Sequence, residues 1–369
     1  MRFALLLPRM DDGGAEHVML QLGRGLAGRG HAVDLVVATR GGPLDGRIPP
    51  ELNAIHLDAR RTATALPALV AYLGRARPAA LLATLEHGNL LALGAGALVR
   101  PRPRVVLREA NVALPARELH GAKERLLRAL ARRFYPAAGV VVAVSHAVAR
   151  SLTEELRLPA ARVRTIYNPV LTPEIARLAA EPLDDPWFTA GAVPVVLGVG
   201  RLAPQKDFPT LLRAFAMARA ERPGRPLRLV ILGEGPDRAL LESLAHALGI
   251  GADVRFPGFD PNPFRYMRRA TVFALSSIFE GLPGALVQAM ACGCRVVATD
   301  APGGSSEVLG GHPPGRLVPP RDAAAMATAI CDLLADADRD PQRPTYPLDR
   351  FTEQAAIDQY LAVLSGGSG

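Results

Sequence analysis

The stretch of sequence from 271 to 309 constrains the fold most, because strand, loop and helix signals follow one another within it. Thr271–Leu275 is apolar and β-branched, which predicts a buried strand. Pro283 is expected at the first position of a helix, where its missing N–H costs nothing. Small and apolar residues continue this helix over Ala285–Ala291, and a second strand is predicted over Arg295–Thr299. A strand–loop–helix–strand order of this kind is typical of an α/β fold.

The start of that predicted helix is suited to an anion. The backbone N–H groups of Gly281, Leu282 and Gly284 have no partner inside the helix, and a helix N-terminus carries roughly half a positive charge, which stabilises a phosphate. Glu280 stands just before these residues, and Gln288 lies eight residues after Glu280. A nucleotide diphosphate-sugar fits this arrangement, with Glu280 facing the sugar and Gln288 the ribose. An ordinary strand–loop–helix with a solvated Glu280 is the alternative.

The segment SSIFEGLPGALVQAMACGCRVVATDAPGGSSEVL resembles the donor-site segment of family 4 of the retaining glycosyltransferases, which are two-domain enzymes of the GT-B fold. The family pattern is a glutamate, seven residues and a second glutamate. This chain has Glu280 at the first position and Gln288 at the second. Glutamine can hydrogen-bond ribose hydroxyls, but it lacks the charge that makes such bonds about twice as strong. The substitution therefore bears on nucleotide affinity and choice.

A second segment, GRLAPQKDFPTLLRAF, also resembles the family and follows a strand predicted over Val195–Val199. Arg201 and Lys206 are expected at the carboxyl end of that strand. Two cations beside a pyrophosphate would stabilise the negative charge that develops on a leaving nucleotide. Without the resemblance, a surface arginine and a surface lysine would be the default interpretation.

Two glycine positions are added to the donor side by the resemblance. Gly13 and Gly14, in GGAEH, are predicted at a strand-to-helix turn where backbone can approach a ligand closely. The family's equivalent loop faces the donor phosphates and the acceptor, although a plain tight turn is the alternative. The resemblance also implies that the loop at Gly258 lies against the nucleotide base. The expected donor-binding residues are Gly13, Gly14, Arg201, Lys206, Gly258, Glu280, Gly281, Leu282, Pro283 and Gln288.

On the acceptor side, the resemblance points to Glu109 and Asn111, which follow a predicted strand, and to Asn168 in the domain-closing loop. The family often carries a histidine near the first two positions, and this chain has none there. A surface glutamate with a turn asparagine is the alternative interpretation. The residues expected to take part in catalysis are Arg201, Lys206, Glu280 and Glu109.

The length of 369 residues and the hydrophobic content of 49% favour two domains, each with its own core. The resemblance implies an α/β protein of the GT-B fold, in which two Rossmann-like domains face a central cleft and a C-terminal helix crosses back to the first domain. The predicted boundaries are 1–180 for an acceptor-side domain and 190–348 for a nucleotide-sugar-binding domain. The crossing helix and tail are predicted over 349–369.

The formal charge of +8 indicates an anionic partner, which could be a nucleotide, an anionic membrane surface or a nucleic acid. A helix predicted over Leu119–Tyr135 sets an apolar stripe opposite Arg125, Arg128 and Arg132, an arrangement that suits a membrane surface or simply solvent. Nucleic acid is not expected as a partner, because basic residues interleaved with aromatics and known modules are absent from the sequence. The N-terminal apolar run is too short for a secretory signal, and no run reaches the ~18 residues of a membrane span. A cytoplasmic location is therefore expected, with peripheral contact at the inner membrane face as a further expectation.

Neither a metal nor a cofactor is expected. Cys292, Cys294 and Cys331 lack the spacing of a zinc site and are interpreted as buried small residues. The acidic run that begins at Asp336 lacks the glycine and the distal glutamate of a calcium loop.

Together with the family resemblance, these features predict a retaining glycosyltransferase that uses a nucleotide-diphosphate sugar. UDP is the expected nucleotide, and a lipid-linked or surface glycan is the expected acceptor. A sugar-nucleotide epimerase of the same fold and a catalytically weakened nucleotide-sugar-binding protein are the alternatives. A nicotinamide-dependent enzyme is disfavoured because no strand is followed by Gly-x-Gly-x-x-Gly.

Overall fold

A computed structural model describes residues 1–11, 13–113, 121–189, 193–311 and 315–366. The chain divides into two compact units. The first comprises Met1–Val170 together with the segment from Asp349 onwards, and the second comprises Leu171–Leu348.

The first unit is built on a seven-stranded sheet in which every pairing between described strands is parallel. The strand order is β3-β2-β1-β4-β5-β6-β7. The strands are β1 Arg2–Leu7, β2 Ala32–Val37, β3 Asn53–His56, β4 Ala80–Thr84, β5 Arg104–Glu109, β6 Val140–Ala143 and β7 Val163–Thr165. The helices are α1 Gly14–Gly28, α2 Leu66–Ala76, α3 Glu86–Leu98, α4 Ala122–Phe134, α5 His146–Glu155 and, from the end of the chain, α13 Glu353–Ser365.

The second unit has a six-stranded sheet, also parallel, in the order β10-β9-β8-β11-β12-β13. Its strands are β8 Val195–Val199, β9 Arg228–Leu232, β10 Val254–Gly258, β11 Val272–Leu275, β12 Arg295–Thr299 and β13 Arg316–Val318. Its helices are α6 Glu174–Ala180, α7 Phe208–Ala220, α8 Arg238–Ala247, α9 Phe264–Met267, α10 Gly284–Ala291, α11 Ser305–Leu309 and α12 Ala323–Arg339.

Each sheet contains one point at which the strand order reverses direction. In the first unit this point lies between β1 and β4, and in the second unit it lies between β8 and β11. The central strands read as continuous apolar runs because helices cover both faces of a parallel sheet, and β4, β11 and β12 are buried along their whole lengths. Open α/β sheets bind ligands in the crevice beyond the carboxyl ends of the two strands at such a point. The topology therefore directs attention to the loops after β1 and β4, and after β8 and β11.

The division between the units falls earlier than the predicted end of the first domain at residue 180. Helix α6 belongs to the second unit, where it packs against α9. The amide of Asn262 ties the end of α6 down, since its Nδ2 donates to the carbonyl oxygen of Leu178 at 2.9 Å and to the carboxylate of Glu181 at 2.8 Å. These partly buried polar contacts hold the end of α6 in the second unit.

The predicted return of the C-terminal helix to the first domain is confirmed. Helix α13 packs against α1, and a Cβ atom on Gly25 would lie 1.8 Å from Cδ1 of Ile357, so the two helices approach closely at this glycine. The guanidinium of Arg104 also donates to the carbonyl oxygen of Val363 at 2.7 Å. Ile357, Tyr360 and Leu364 complete the hydrophobic core of the first unit.

Helix α4 differs from its predicted amphipathic form. Residues 119 and 120 of the predicted helix lie outside the described residues, and α4 itself runs over Ala122–Phe134. Leu126 and Phe134, two residues of the predicted apolar stripe, are 59% and 44% exposed. Arg128, expected on the solvent side, has a side chain only 19% exposed, with its Nε 3.9 Å from the carboxylate of Glu86. The partly buried carboxylate on α3 attracts Arg128 inward, so the basic solvent face retains Arg125 and Arg132 but not Arg128.

No helix in the described part of the chain is both long and apolar enough to cross a bilayer. Contact of α4 with an anionic membrane surface stays a prediction. We expect Arg125→Gln combined with Arg132→Gln to weaken co-sedimentation with phosphatidylglycerol-containing vesicles, since each basic residue near such a surface contributes about 1 kcal/mol. The Arg128→Gln variant is the matched control and should bind nearly as wild type does. Equal binding by wild type and the double variant would mean that α4 is an ordinary solvated helix.

Candidate functional site

The loops after β8 and β11 are joined by hydrogen bonds at the point where the second sheet reverses its order. The N–H of Ile278 donates to the carbonyl oxygen of Gln205 at 2.9 Å, and Nε2 of Gln205 donates to the carbonyl oxygen of Phe279 at 3.0 Å. The hydroxyl of Ser276 donates to the carbonyl oxygen of Lys206 at 2.7 Å. The two loops therefore form one connected structure at the carboxyl edge of the sheet.

Glu280 and Lys206 form an ion pair at the centre of this structure. The ammonium of Lys206 donates to Oε1 of Glu280 at 2.5 Å, and the hydroxyl of Ser277 donates to the same oxygen at 2.7 Å. Glu280 is only 6% exposed, so its carboxylate is held in one position by a cation and a hydroxyl. Its second carboxylate oxygen accepts no hydrogen bond from any described residue, and it remains available to a hydroxyl group of a ligand.

Arg201 differs from Lys206 in that its side chain has no partner among the described residues. Its side chain is exposed, and it makes neither a hydrogen bond nor an ion pair with the residues that the structure describes. The neighbouring backbone is well fixed, because the N–H of Leu202 donates to the carbonyl oxygen of Glu234 at 2.9 Å. The loop after β9 thus supports the loop that carries Arg201. The N–H of Gly233 donates to the carbonyl oxygen of Gly258 at 2.9 Å, which attaches the end of β10 to the same group of loops.

The glycine-rich turn after β12 closes around Glu280. The N–H of Glu280 donates to the carbonyl oxygen of Pro302 at 3.0 Å. Gly303 has a φ of +136°, and a Cβ atom there would lie 1.7 Å from the carbonyl oxygen of Glu280. Only glycine permits this conformation together with this approach. The turn therefore fixes the backbone on which the Glu280 side chain is mounted.

Helix α10 begins one residue later than expected. Pro283 has a ψ of 84° and caps the helix from outside, and Gly284 is the first helical residue. Gln288 is the fifth residue of the helix and lies about one turn from its start. Its amide is half-buried and forms no hydrogen bond with described residues. No backbone carbonyl of the described chain accepts from the N–H groups of Gly281, Leu282 or Gly284, so these donors remain free for an anion.

In the first unit, Gly13 and Gly14 lie at the start of α1, beside the point where that sheet reverses its order. The sequence did not indicate the role of their neighbour Glu16. A Cβ atom on Gly13 would lie 2.4 Å from Oε2 of Glu16, and Glu16 is only 5% exposed. Burial raises the pKa of the Glu16 carboxyl. This side chain lies where the free N–H groups of the helix N-terminus would attract an anion.

Glu109 ends β5 and is held by two side chains from distant parts of the sequence. Its Oε1 accepts hydrogen bonds from Nδ2 of Asn89 at 2.8 Å and from the hydroxyl of Tyr135 at 2.5 Å. Burial, reinforced by the nearby charge of Glu86, raises the pKa of Glu109 to about 7. A carboxyl group with this pKa can gain or lose a proton near neutral pH, as a general base or acid must.

The other two acceptor-side candidates do not join Glu109. Asn111 is exposed. Asn168 is buried, and its Oδ1 accepts a hydrogen bond at 2.7 Å from the guanidinium of Arg108, which also donates to Thr84 at 3.0 Å. Arg108 is 1% exposed, and the sequence did not mark it because it occupies an ordinary strand position. Asn168 therefore has a visible structural role as the acceptor for a buried cation.

Metal-binding residues are not found in the described ranges, where no group of three or more histidine, cysteine, aspartate or glutamate side chains could hold an ion. Cys292 and Cys294 are buried as expected, and burial raises the pKa values of their thiols to about 11 and about 12. Cys331 is less buried, and its thiol pKa is raised to about 11. At neutral pH all three therefore remain protonated thiols.

Both units match models of known protein families. The model described as glycosyl transferases group 1 matches residues 184–346, and the model of glycosyltransferase family 4 matches residues 12–172. The structure of Anabaena Alr3699/HepE in complex with UDP covers 99% of this chain and all (100%) of its own, with a TM-score of 0.75 at 20% identity. WaaG, a glycosyltransferase involved in lipopolysaccharide biosynthesis, gives a TM-score of 0.74 at 15% identity over 99% of this chain and 100% of its own. These likenesses show a common fold, GT-B.

Two curated relatives are also similar in sequence. One is the N-acetylgalactosamine-N,N'-diacetylbacillosaminyl-diphospho-undecaprenol 4-alpha-N-acetylgalactosaminyltransferase of Campylobacter jejuni, 31% identical over 61% of this chain and 58% of the relative. The other is the lipopolysaccharide core biosynthesis glycosyltransferase LpsE of Rhizobium meliloti, 31% identical over 55% of this chain and 58% of the relative. The chain thus spans somewhat more than half the length of each of these relatives.

We expect Glu109 to make the free energy of unfolding fall as pH rises. Its folded pKa of about 7 lies above the ordinary value of 4.5. Between these two values the folded chain keeps a proton that the unfolded chain has released, so stability decreases with pH across this window and levels off above it. The Glu109→Gln variant should lose this pH dependence, because an amide does not titrate. The free energy of unfolding that is lost across the window amounts to about 3 kcal/mol at most in the wild type. The variant should stay folded, since its amide oxygen still accepts from Asn89 and Tyr135.

Urea unfolding at pH 5 and pH 8 provides the measurement. Glu154→Gln, which changes an exposed glutamate of α5, is the matched control and should keep the slope of the wild type. If Glu109→Gln also keeps the wild-type slope, the carboxyl of Glu109 does not carry the titration.

Proposed function

The chain belongs to the group 1 glycosyltransferases with the GT-B fold, and from this membership we propose that it transfers a sugar from a nucleotide-diphosphate donor to a glycan acceptor, with retention of configuration. UDP is the proposed nucleotide, a choice supported by the UDP in the Anabaena Alr3699/HepE complex. A lipid-linked or surface glycan is the proposed acceptor. The support for it is the diphospho-undecaprenol in the name of the Campylobacter jejuni relative and the lipopolysaccharide core pathway of LpsE.

The observation that carries this proposal is the group of charges where the second sheet reverses its order. Lys206 is fixed by Glu280, whereas the side chain of Arg201 and the N–H groups of Gly281, Leu282 and Gly284 have no partner among the described residues. A pyrophosphate bound here would receive positive charge from a guanidinium, an ammonium and a helix N-terminus. These are the groups that stabilise negative charge on a departing diphosphate.

In the proposed reaction, the bond between the anomeric carbon and the β-phosphate oxygen breaks, and the nucleotide diphosphate leaves with the electron pair. Lys206 and Arg201 stabilise the charge that grows on that oxygen. The acceptor hydroxyl forms the new bond on the face that the leaving group has vacated, and it loses its proton. Glu280 accepts a hydrogen bond from a sugar hydroxyl through its free oxygen, which orients the donor. Glu109 is the proposed acceptor-side base, because its pKa of about 7 matches that task.

No metal is proposed for this reaction. The positive charge that a metal would supply beside a pyrophosphate comes here from Arg201, Lys206 and the start of α10. Turnover should therefore persist in EDTA, and a loss that Mg²⁺ or Mn²⁺ restores would overturn this part of the proposal.

We expect Arg201→Ala and Lys206→Ala each to lower kcat by about 10²–10³, because each removes charge that acts on the leaving diphosphate. Donor consumption is measured across a panel of nucleotide sugars, with and without acceptor. The matched control is Arg213→Ala, which removes an exposed arginine from α7 and should leave kcat unchanged. Near-normal turnover by both site variants would refute the phosphate assignment.

The same assay of the wild type separates the alternative functions. Conversion of the donor to an epimer without acceptor would indicate the epimerase, and binding without turnover would indicate a binding protein.

Gln288→Glu should tighten UDP binding by about tenfold or less. A carboxylate could accept two ribose hydroxyl bonds, and charged hydrogen bonds are stronger than neutral ones by about 1 kcal/mol. Repulsion from the pyrophosphate limits the gain. The rate of the chemical step should change less, because ribose bonding is the same before and during transfer.

Calorimetry of UDP binding to both forms tests the Gln288 assignment. Gln359→Glu makes the same charge change on α13 of the first unit and is the control. Weaker binding by the Gln288→Glu variant would show that this side chain does not face the ribose.

A further inference from the structure

A cavity of about 430 Å³ opens at the carboxyl ends of β1, β2 and β3 in the first unit. None of the residues assigned above lines it. The residues that line it are Arg9, Thr39, Arg40, Asp58, Ala59 and Arg60. The lining thus contains three arginines and a single aspartate, which leaves an excess of positive charge.

The three arginines differ in how far they are already neutralised. Arg40 is bound to Asp58 through two hydrogen bonds, one of them from Nη2 to Oδ2 at 3.3 Å. Arg9 has its Nε 3.3 Å from the carboxylate of Asp11. Arg60 is exposed and forms neither a hydrogen bond nor an ion pair with the described parts of the chain. Arg60 therefore supplies charge that the cavity does not cancel.

The walls of the cavity are held by contacts between neighbouring strands. Both the N–H and the hydroxyl of Thr39 donate to the carbonyl oxygen of Pro8 at 3.0 Å, and the N–H of Ala59 donates to the carbonyl oxygen of Ala38 at 3.1 Å. Asp58 adopts a φ of +54°, a left-handed conformation that is uncommon for residues other than glycine. Strained backbone of this kind persists where the surroundings fix it, and it is found more often at binding sites than elsewhere. In this cavity it sets the carboxylate against Arg40, which fixes the Arg40 guanidinium in the wall.

We propose that this cavity binds a phosphate or diphosphate group of the acceptor. Guanidinium groups recognise phosphate oxygens through paired hydrogen bonds, and three of them around one cavity can surround a group with several charged oxygens. The carboxyl ends of β1 to β3 also lie on the edge of the sheet where α/β domains place their ligands. This inference rests on the proposed function, because it identifies the anion as part of a glycosyl acceptor.

The test is calorimetric titration with inorganic pyrophosphate, performed with UDP at saturation so that the charges around Arg201 and Lys206 are occupied. We expect the wild type to bind pyrophosphate under these conditions and the combined Arg9→Gln and Arg60→Gln variant to bind at least about tenfold more weakly. The matched control is Arg24→Gln, which removes an exposed arginine from α1 and should bind as the wild type does. Thermal melting and circular dichroism verify that each variant is folded.

Two competitors separate the sources of the anion. Displacement of pyrophosphate by farnesyl diphosphate would assign the site to a lipid-carrier diphosphate, and displacement by glucose 6-phosphate would assign it to a phosphorylated sugar. The inference is overturned if the wild type binds no pyrophosphate beside UDP, or if the double variant binds it as tightly as Arg24→Gln does. The titration measures binding and needs no turnover. A failure to consume any nucleotide sugar would therefore refute the proposed function, whereas pyrophosphate binding at this cavity could still be measured.

Discussion

The hydrogen-bonded ion pair between Lys206 and Glu280 joins the two loops on which the second unit's site depends. Lys206 follows β8 and Glu280 follows β11, so the pair spans the point where the sheet reverses its order. A partly buried pair of this kind is stable only when its geometry is good and its remaining donors and acceptors are satisfied. Ser277 supplies that additional bond, and the bonds through Gln205 hold the backbone on both sides.

The same ion pair leaves part of each charged group available to a ligand. The ammonium of Lys206 has three donors, of which Glu280 uses one, and the carboxylate of Glu280 retains a free oxygen. A ligand can therefore bind to both without breaking the contact between them. Arg201, which has no partner among the described residues, adds charge that does not have to be released first. Positive groups that are already in place need little rearrangement as charge develops, which is how preorganised sites lower a barrier.

Sequence reasoning succeeded where local signals determine the answer. Apolar β-branched runs predicted buried strands. Because the loops after neighbouring parallel strands lie at the same edge of a sheet, Arg201, Lys206 and Glu280 were predicted on one edge. It was less successful where a side chain's position depends on a partner far away in sequence. The inward turn of Arg128 depends on Glu86, and the bonds of Glu109 depend on Asn89 and Tyr135. Pro283 caps α10 from outside because the turn at Gly303 encloses the residues before the helix.

The docking of α13 on α1 has a consequence for how the chain is made. Ile357, Tyr360 and Leu364 belong to the core of the first unit, although they are synthesised after the whole second unit. While the ribosome is still translating the second unit, the apolar surface that α13 will cover is open, and Gly25 faces no neighbouring helix. The second unit, whose sequence is continuous, can complete its core earlier. The first unit can therefore close only after α13 has been synthesised, so the unit whose sequence starts earlier is completed later than the second.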